Sequence, residues 1–133
     1  MRYATLRLLF CAGLTLSAAL AQNMDVPNEP FQAVHLMVLK SADAEAPIMT
    51  MMADFNRAIA KAGCPKCIYH LWKANTDTNG VRNYLWISSW PGRDVYVKIH
   101  TSAEYKAVDQ KHPDADKLIE KEIYGRYLEM KLP

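Results

Sequence analysis

Three histidines are the side chains of this sequence best suited to acid–base chemistry near neutral pH. His35 lies in an apolar segment, residues 33–40, and His70 lies in an aromatic segment, residues 67–75. An imidazole in an aromatic-lined cavity can accept a proton from a hydroxyl group, with a pKa tuned by burial. Each position also suits a structural histidine bonded to a backbone carbonyl. Both interpretations stay open for His35 and His70.

The third candidate, His100, lies at the end of a predicted helical segment. A cation there would be favoured by the carbonyl end of the helix dipole, which gives His100 a structural role without any ligand. The fourth histidine, His112, precedes Pro113 in a polar stretch and is predicted to be solvated.

Aromatic side chains are frequent enough to build a pocket for a flat hydrophobic molecule. Such a pocket holds its ligand by stacking and orients it with a few polar groups. The alternative for each aromatic residue is simple packing in a core or an interface. The candidates for substrate binding, beside His70, are Trp72, Tyr84, Trp86, Trp90, Tyr96 and Tyr105.

Cys64 and Cys67 are predicted to form a structural disulfide. They follow a helix rather than begin one, so no helix N-terminus lowers the pKa of either thiol for redox catalysis. A zinc site completed by His70 is disfavoured, because residues three apart on a strand point to opposite faces. No metal site is therefore expected.

The N-terminus has the pattern of a secretory signal peptide, residues 1–21. Two arginines precede an apolar run of about a dozen residues, too short to cross a bilayer as a helix, and Ala19-Leu20-Ala21 resembles a cleavage site. Residues 22–32 are predicted to be a flexible leader and residues 33–133 one domain. The expected location is secreted or periplasmic, where disulfides persist, with no membrane contact after cleavage.

The charge balance argues against a polyanionic partner. The chain has 16 Lys and Arg against 14 Asp and Glu, and Arg2 and Arg7 lie in the predicted signal peptide. The mature protein is therefore close to neutral, with its charges interspersed. Neither a nucleic acid nor an anionic membrane surface is an expected partner.

Periodicity gives the order of the elements that would position these side chains. Strands are predicted at residues 33–40, 67–75, 83–90 and 123–132, the middle two joined by a turn at residues 76–80. A helix follows Asp43, with Gly63 just past its end. A second helical region starts near Val95, restarts at a Thr101–Glu104 capping box and again at Pro113.

This β-α-β-β-α-β order predicts an α+β, ferredoxin-like fold, with two helices on one face of a four-stranded antiparallel sheet. In residues 83–90, Tyr84, Trp86 and Trp90 share one strand face, and Leu85 and Ile87 share the other. Both faces are too apolar for water. We therefore expect a homodimer, with the aromatic face hidden by a twin subunit.

Residues 34–40, 84–90 and 99–105 resemble the dimeric α+β barrel superfamily, which includes antibiotic-biosynthesis monooxygenases, stress-responsive A/B barrel proteins and haem-degrading enzymes. The resemblance covers about residues 33–132. It implies a first-strand histidine at His35, like that of polyketide cyclases, and a cavity role for His100. The haem-degrading pattern of a strand asparagine and a helix histidine is not matched, since His35 and Gln110 stand there.

The resemblance implies two functions for an exported dimeric barrel with a small aromatic-lined cavity. The first is cofactor-independent oxygenation of a small hydroxy-aromatic compound, with His35 or His100 as the catalytic base. The alternative is non-catalytic binding of a small hydrophobic or haem-like ligand. No cofactor is expected for the first function, and haem is the open alternative. A purely structural dimer is a third possibility.

Overall fold

A computed structural model describes residues 25–74 and 83–132 of the 133-residue chain. The predicted signal peptide and the turn at residues 76–80 lie outside the described residues. Within the described part, no helix combines the length and apolarity needed to cross a membrane.

Four antiparallel strands form one sheet in the order β2-β3-β1-β4. Strand β1 spans Phe31–Leu39, β2 His70–Lys73, β3 Asn83–Trp90 and β4 Ile119–Leu128. The apolar β1 lies in the centre, between β3 and β4, as expected for a strand whose two faces both carry apolar side chains. The predicted fold class is confirmed.

Three helices connect the strands. Helix α1 spans Glu45–Lys61, α2 Arg93–His100 and α3 Ala103–Lys111, with short 3₁₀ turns at Ala42–Ala44 and Ala115–Leu118. Helix α1 buries its apolar stripe and is followed by Gly63, whose φ of 109° suits a residue without a side chain.

Several predicted boundaries were wrong. Strand β4 begins at Ile119 because Leu39 pairs with it beyond a bulge, so Met130 and Leu132 lie past the strand in solvent. Strand β2 covers only part of residues 67–75. Val26, within the predicted leader, is buried in the core, and β1 begins at Phe31.

The predicted capping box at Thr101 and Glu104 was also wrong. The Ser102 hydroxyl accepts the backbone N–H of Tyr105 and caps α3, while Thr101 donates its hydroxyl to the Val97 carbonyl at 2.8 Å and belongs to the end of α2. The observed N-cap, Ser102, is one residue later than the predicted one. The helical region is still interrupted between α2 and α3, as the sequence predicted.

The two faces of the sheet have different surroundings. The covered face, which packs under the helices, carries the alternate residues of β1 from Phe31 to Leu39 and the aromatic side chains of β3. The prediction that a twin subunit hides those aromatics was therefore wrong, because the helices of the same chain bury them. The open face carries apolar side chains that are exposed in the subunit, among them Leu36, Trp72, Ile123 and Tyr127.

Candidate functional site

A cavity of about 560 Å³ lies between the covered face and the helices. Strands of the sheet form its floor, α1 and α3 form its walls, and the segment after α3 forms its rim. Its volume suits a small organic molecule. It is lined by His35, Met37, Met51, Met52, Phe55, Tyr69, Trp86, Tyr105, Asp109, His112, Pro113, Ala115, Asp116, Ile119 and Glu122.

His35 is held in this cavity by a carboxylate from the neighbouring strand. The register of β1 and β4 pairs His35 with Tyr124 and Met37 with Glu122, which puts the Glu122 side chain on the covered face. His35 Nδ1 lies 2.5 Å from Glu122 Oε1. Since an ionised carboxylate only accepts hydrogen bonds, Nδ1 is the donor, and the lone pair of the neutral imidazole is then on Nε2.

The other nitrogen of His35 has no hydrogen-bond partner. Nε2 is buried and unpaired within the described part of the chain. An orphaned buried polar atom costs free energy, and in a cavity the group that satisfies it can be a ligand. The pair of His35 and Glu122 can therefore accept a proton at Nε2 and stabilise the resulting imidazolium through Glu122.

Three aromatic rings surround the His35 imidazole. The ring of Tyr124 lies 4.5 Å from it, Tyr69 5.5 Å and Trp86 6.0 Å, between ring centroids. Burial raises the pKa of the Tyr69 hydroxyl well above its ordinary value, so this group stays protonated. Trp86 is 4% exposed, and its indole Nε1, a donor only, is a second buried atom without a partner in the described residues.

A second carboxylate–histidine pair lies at the rim. His112 Nε2 is 2.8 Å from Asp54 Oδ2, and Lys111 Nζ and Arg57 also bond to Asp54. The hydrogen bond from Lys111, followed by that from His112, holds the pKa of Asp54 well below its usual range. The prediction that His112 is solvated was wrong, because α1 places an acidic partner beside it.

His100 does not line this cavity. Its Nδ1 donates to the Tyr96 carbonyl at 2.8 Å, and its ring stacks on Tyr96 with centroids 3.8 Å apart. Trp90 and Tyr105 enclose the ring from two more sides, at 5.1 and 4.4 Å. Burial lowers the pKa of His100 to about 4, against the bond to Tyr96. His100 therefore has a structural role, but as a buried neutral ring and not as the cation expected at the end of a helix.

Two of the six aromatic candidates, Trp86 and Tyr105, line the cavity. Tyr84 lies on the covered face but donates its hydroxyl to Glu45 at 2.5 Å, outside the cavity. Trp90 and Tyr96 pack against each other in the core, at 4.9 Å between centroids.

Strand β2 turns the remaining two candidates away from the cavity. His70 pairs with Ile87 and Trp72 with Leu85, so both project from the open face, where both are exposed. Because side chains alternate along a strand, the sequence predicted that His70 and Trp72 share one face of the sheet. It did not predict which of the two faces the helices cover.

The two cysteines form the predicted disulfide. Cys64 and Cys67 are bonded just past α1, with Cα atoms 5.3 Å apart. Cys67 is buried in the core, where the bond fixes the turn between α1 and β2. Among the described residues, no three His, Cys, Asp or Glu side chains are grouped to hold a metal ion.

Four lining residues, Glu122, Tyr69, Asp109 and Asp116, had no individual signal in the sequence. Glu122 is separated from His35 by 87 residues and stands next to the predicted start of the last strand. The predicted strand began at residue 123, four residues after the observed start of β4. A strand that included Glu122 would have placed this residue on the same face as Tyr124, which is the face of His35.

No protein-family model matches this chain, and no curated protein matches it. Solved structures do match its fold. The cofactor-independent oxygenase SnoaB of Streptomyces nogalater, in a mutant form, is 14% identical with a TM-score of 0.57, over 78% of this chain and 96% of that one. A hydroxynitrile lyase from Passiflora edulis is also 14% identical, with a TM-score of 0.59, over 80% and 100%.

A third match is a dimeric ferredoxin-like protein of unknown function from Thermobifida fusca. It is 10% identical with a TM-score of 0.53, over 74% of this chain and 89% of that one. At these identities the likeness is one of fold. The chain therefore shares the α+β, ferredoxin-like fold of these structures, among which more than one chemistry is named.

Proposed function

We propose that this protein is an enzyme that removes a proton from a small hydroxy-aromatic compound and promotes its cofactor-independent oxygenation. The observation that carries the proposal is the buried, unpaired Nε2 of His35 in a 560 Å³ cavity, opposite the bond from Nδ1 to Glu122. A base needs both features: a lone pair facing the substrate and a partner for the charge it acquires.

In the proposed reaction, His35 Nε2 takes the hydroxyl proton and the Trp86 indole N–H donates to the resulting oxyanion. Dioxygen then reacts with the electron-rich ring. The hydroxyarene loses its O–H hydrogen and one ring C–H hydrogen, one oxygen atom becomes a quinone carbonyl, and the other leaves as water. His35 returns its proton to the departing oxygen, which restores the neutral imidazole.

Two of the structural neighbours support a proton abstraction as the common step. One is named as a cofactor-independent oxygenase and the other as a hydroxynitrile lyase. Oxygenation of a hydroxyarene and cleavage of a hydroxynitrile can both begin with removal of a hydroxyl proton. A base in the cavity would serve either reaction, and His35 is the base that this chain offers there.

The test is oxygen consumption with a panel of hydroquinones and naphthols, at about pH 7.5, for the wild type and matched variants. His35→Ala is expected to lower the rate by about 10²- to 10⁴-fold. Glu122→Gln should lower it by at least about tenfold, because an amide cannot balance the imidazolium charge. His100→Asn is the control, since His100 lies outside the cavity and should leave turnover of the folded protein intact.

Equal rates for the wild type and His35→Ala would contradict the assignment of the base. Ligand binding without oxygen consumption would favour the second candidate, non-catalytic binding of a small hydrophobic molecule. The same unpaired atoms, Nε2 of His35 and Nε1 of Trp86, support that candidate, because they can bind a hydroxyl ligand without any reaction.

We also propose that two subunits pack through the open face. Leu36, in the central strand, is 46% exposed there, and Trp72 is 61% exposed. Contiguous apolar surface of this kind marks an interface. Leu36→Glu should convert a dimer to a monomer in sedimentation velocity. Met49→Glu is the matched control, because Met49 is 47% exposed but lies on α1; a wild-type monomer at micromolar concentration would contradict the proposal.

Export from the cytosol is the remaining part of the proposed function. The disulfide between Cys64 and Cys67 supports an oxidising compartment, secreted or periplasmic, because such bonds persist there. The signal-peptide pattern at residues 1–21 supports the same location.

A further inference from the structure

The charges that line the cavity have one sign. Asp109, Asp116 and Glu122 contribute carboxylates, whereas neither Lys nor Arg lines the cavity among the described residues. The two histidines of the lining are already bonded to carboxylates, His35 to Glu122 and His112 to Asp54. A negatively charged ligand would therefore meet repulsion from the lining carboxylates.

Asp109 and Asp116 both line the cavity near its rim, Asp109 from the end of α3 and Asp116 from the 3₁₀ turn that follows. Both are exposed on the side that faces solvent, and neither forms an ion pair with a described residue. Partial burial raises the pKa of Asp109, and the charge of Asp116 raises it further. Both carboxylates line the same cavity, so a cation bound there would interact favourably with each of them.

A second feature of the same cavity independently indicates a ligand. Trp86, 4% exposed, lines the cavity floor together with His35, at 6.0 Å between ring centroids, and its buried indole N–H, like Nε2 of His35, has no partner among the described residues. The floor thus offers a donor and an acceptor, as a hydroxyl group requires, while the rim offers two carboxylates. A molecule that binds to both the floor and the rim of the cavity has a hydroxyl group at one end and a positive charge at the other.

We infer that the substrate is a hydroxy-aromatic amine, whose protonated amino group binds between Asp109 and Asp116 while its hydroxyl group faces His35 and Trp86. This inference rests on the proposed function for the orientation of the hydroxyl group. It adds a substrate class: amines are preferred over neutral alcohols, and carboxylates are excluded. Asp109 and Asp116 are then the residues that determine specificity.

The test compares three phenols of similar size in calorimetric titrations of the full-length mature protein without oxygen. Tyramine carries an ammonium group, tyrosol a neutral alcohol and 4-hydroxyphenylacetate a carboxylate. Tyramine should bind about fivefold or more tightly than tyrosol, and 4-hydroxyphenylacetate more weakly than both. Added sodium chloride should reduce the preference for tyramine, because salt screens charges at a rim.

The variants Asp109→Asn and Asp116→Asn should each remove most of the preference and leave the affinity for tyrosol unchanged. Both side chains are exposed, so neither change removes core packing. Asp114→Asn is the matched control, since Asp114 belongs to the same segment but pairs with Lys117 at 2.6 Å and does not line the cavity. It should keep the preference of the wild type.

Two outcomes separate this inference from the proposed reaction. His35→Ala should lose oxygen consumption and keep the preference for tyramine, because the amine binds at the rim. An absence of oxygen consumption in the wild type would overturn the proposed reaction only. Equal binding of tyramine and tyrosol, or tightest binding of 4-hydroxyphenylacetate, would overturn the inference whatever the reaction is.

Discussion

Two histidines on the same side of the sheet, His35 and His100, have aromatic neighbours at similar distances but differ in what their nitrogens contact. His35 bonds to a carboxylate and leaves Nε2 unpaired in a cavity. His100 bonds to the backbone carbonyl of Tyr96, one turn earlier in α2, and is covered by stacked rings. The first arrangement can take up a proton, whereas the second resists one.

The same difference separates two tryptophans of β3. Trp90, in the His100 cluster, donates its indole N–H to the Ser88 hydroxyl at 2.7 Å, and both residues are fully buried. Trp86 lies earlier in the strand on the same face, and its indole N–H has no partner in the described part of the chain. The N–H of Trp90 thus has its acceptor in the packed cluster, whereas the N–H of Trp86, a residue that lines the cavity, has none among the described residues.

A histidine with aromatic neighbours is therefore found both in the candidate active site and in a core cluster of this protein. The distinguishing features are unpaired polar atoms, a charged partner for the base and space for a ligand. Each feature depends on which elements cover a given part of the sheet. Substitutions in the His100 cluster are expected to have the larger effect on stability.

Removal of the His100 imidazole should flatten the acid dependence of folding stability. The pKa of His100 is about 4 in the fold, against 6.5 for an ordinary histidine, so the unfolded chain binds the proton first as the pH falls. The wild type should therefore lose stability between about pH 6.5 and pH 4. His100 should account for at most about 3 kcal/mol of this loss in the free energy of unfolding, because its burial is incomplete.

The measurement is urea unfolding of the wild type and His100→Asn at about pH 7.5 and about pH 4.5. The variant should be less stable at the higher pH, where the neutral imidazole packs well, but should lose less on acidification. The data at the higher pH provide the control for lost packing. If both proteins lose the same free energy of unfolding between the two pH values, His100 is not the buried neutral group inferred here.

The fold was predictable because its signals are local. The apolar β1, the helical periodicity of α1 and the aromatic β3 each indicate their element within a few residues. The boundaries of β2 and β4 were less predictable, since pairing with β1 and β3, rather than composition, decides where these strands begin and end.

The candidate site was only partly predictable. His35, Trp86 and Tyr105 were named from their types, and they do line the cavity. Glu122 was not, because its contact with His35 depends on the β1–β4 register across 87 residues. His100 was predicted beside His35 as a base, since the sequence does not show that His35 lines the cavity whereas His100 packs among stacked rings.

Loss of the Ser88 hydroxyl is the smaller test of the same comparison. Ser88→Ala leaves the buried N–H of Trp90 without its acceptor, which should lower the free energy of unfolding by about 1–2 kcal/mol. Ser89→Ala is the matched control, because Ser89 is the next residue of β3 and is exposed on the opposite face. If the two variants unfold at the same urea concentration, the hydrogen bond from Trp90 to Ser88 does not stabilise the fold. The difference drawn between the paired N–H of Trp90 and the unpaired N–H of Trp86 would then have no energetic basis.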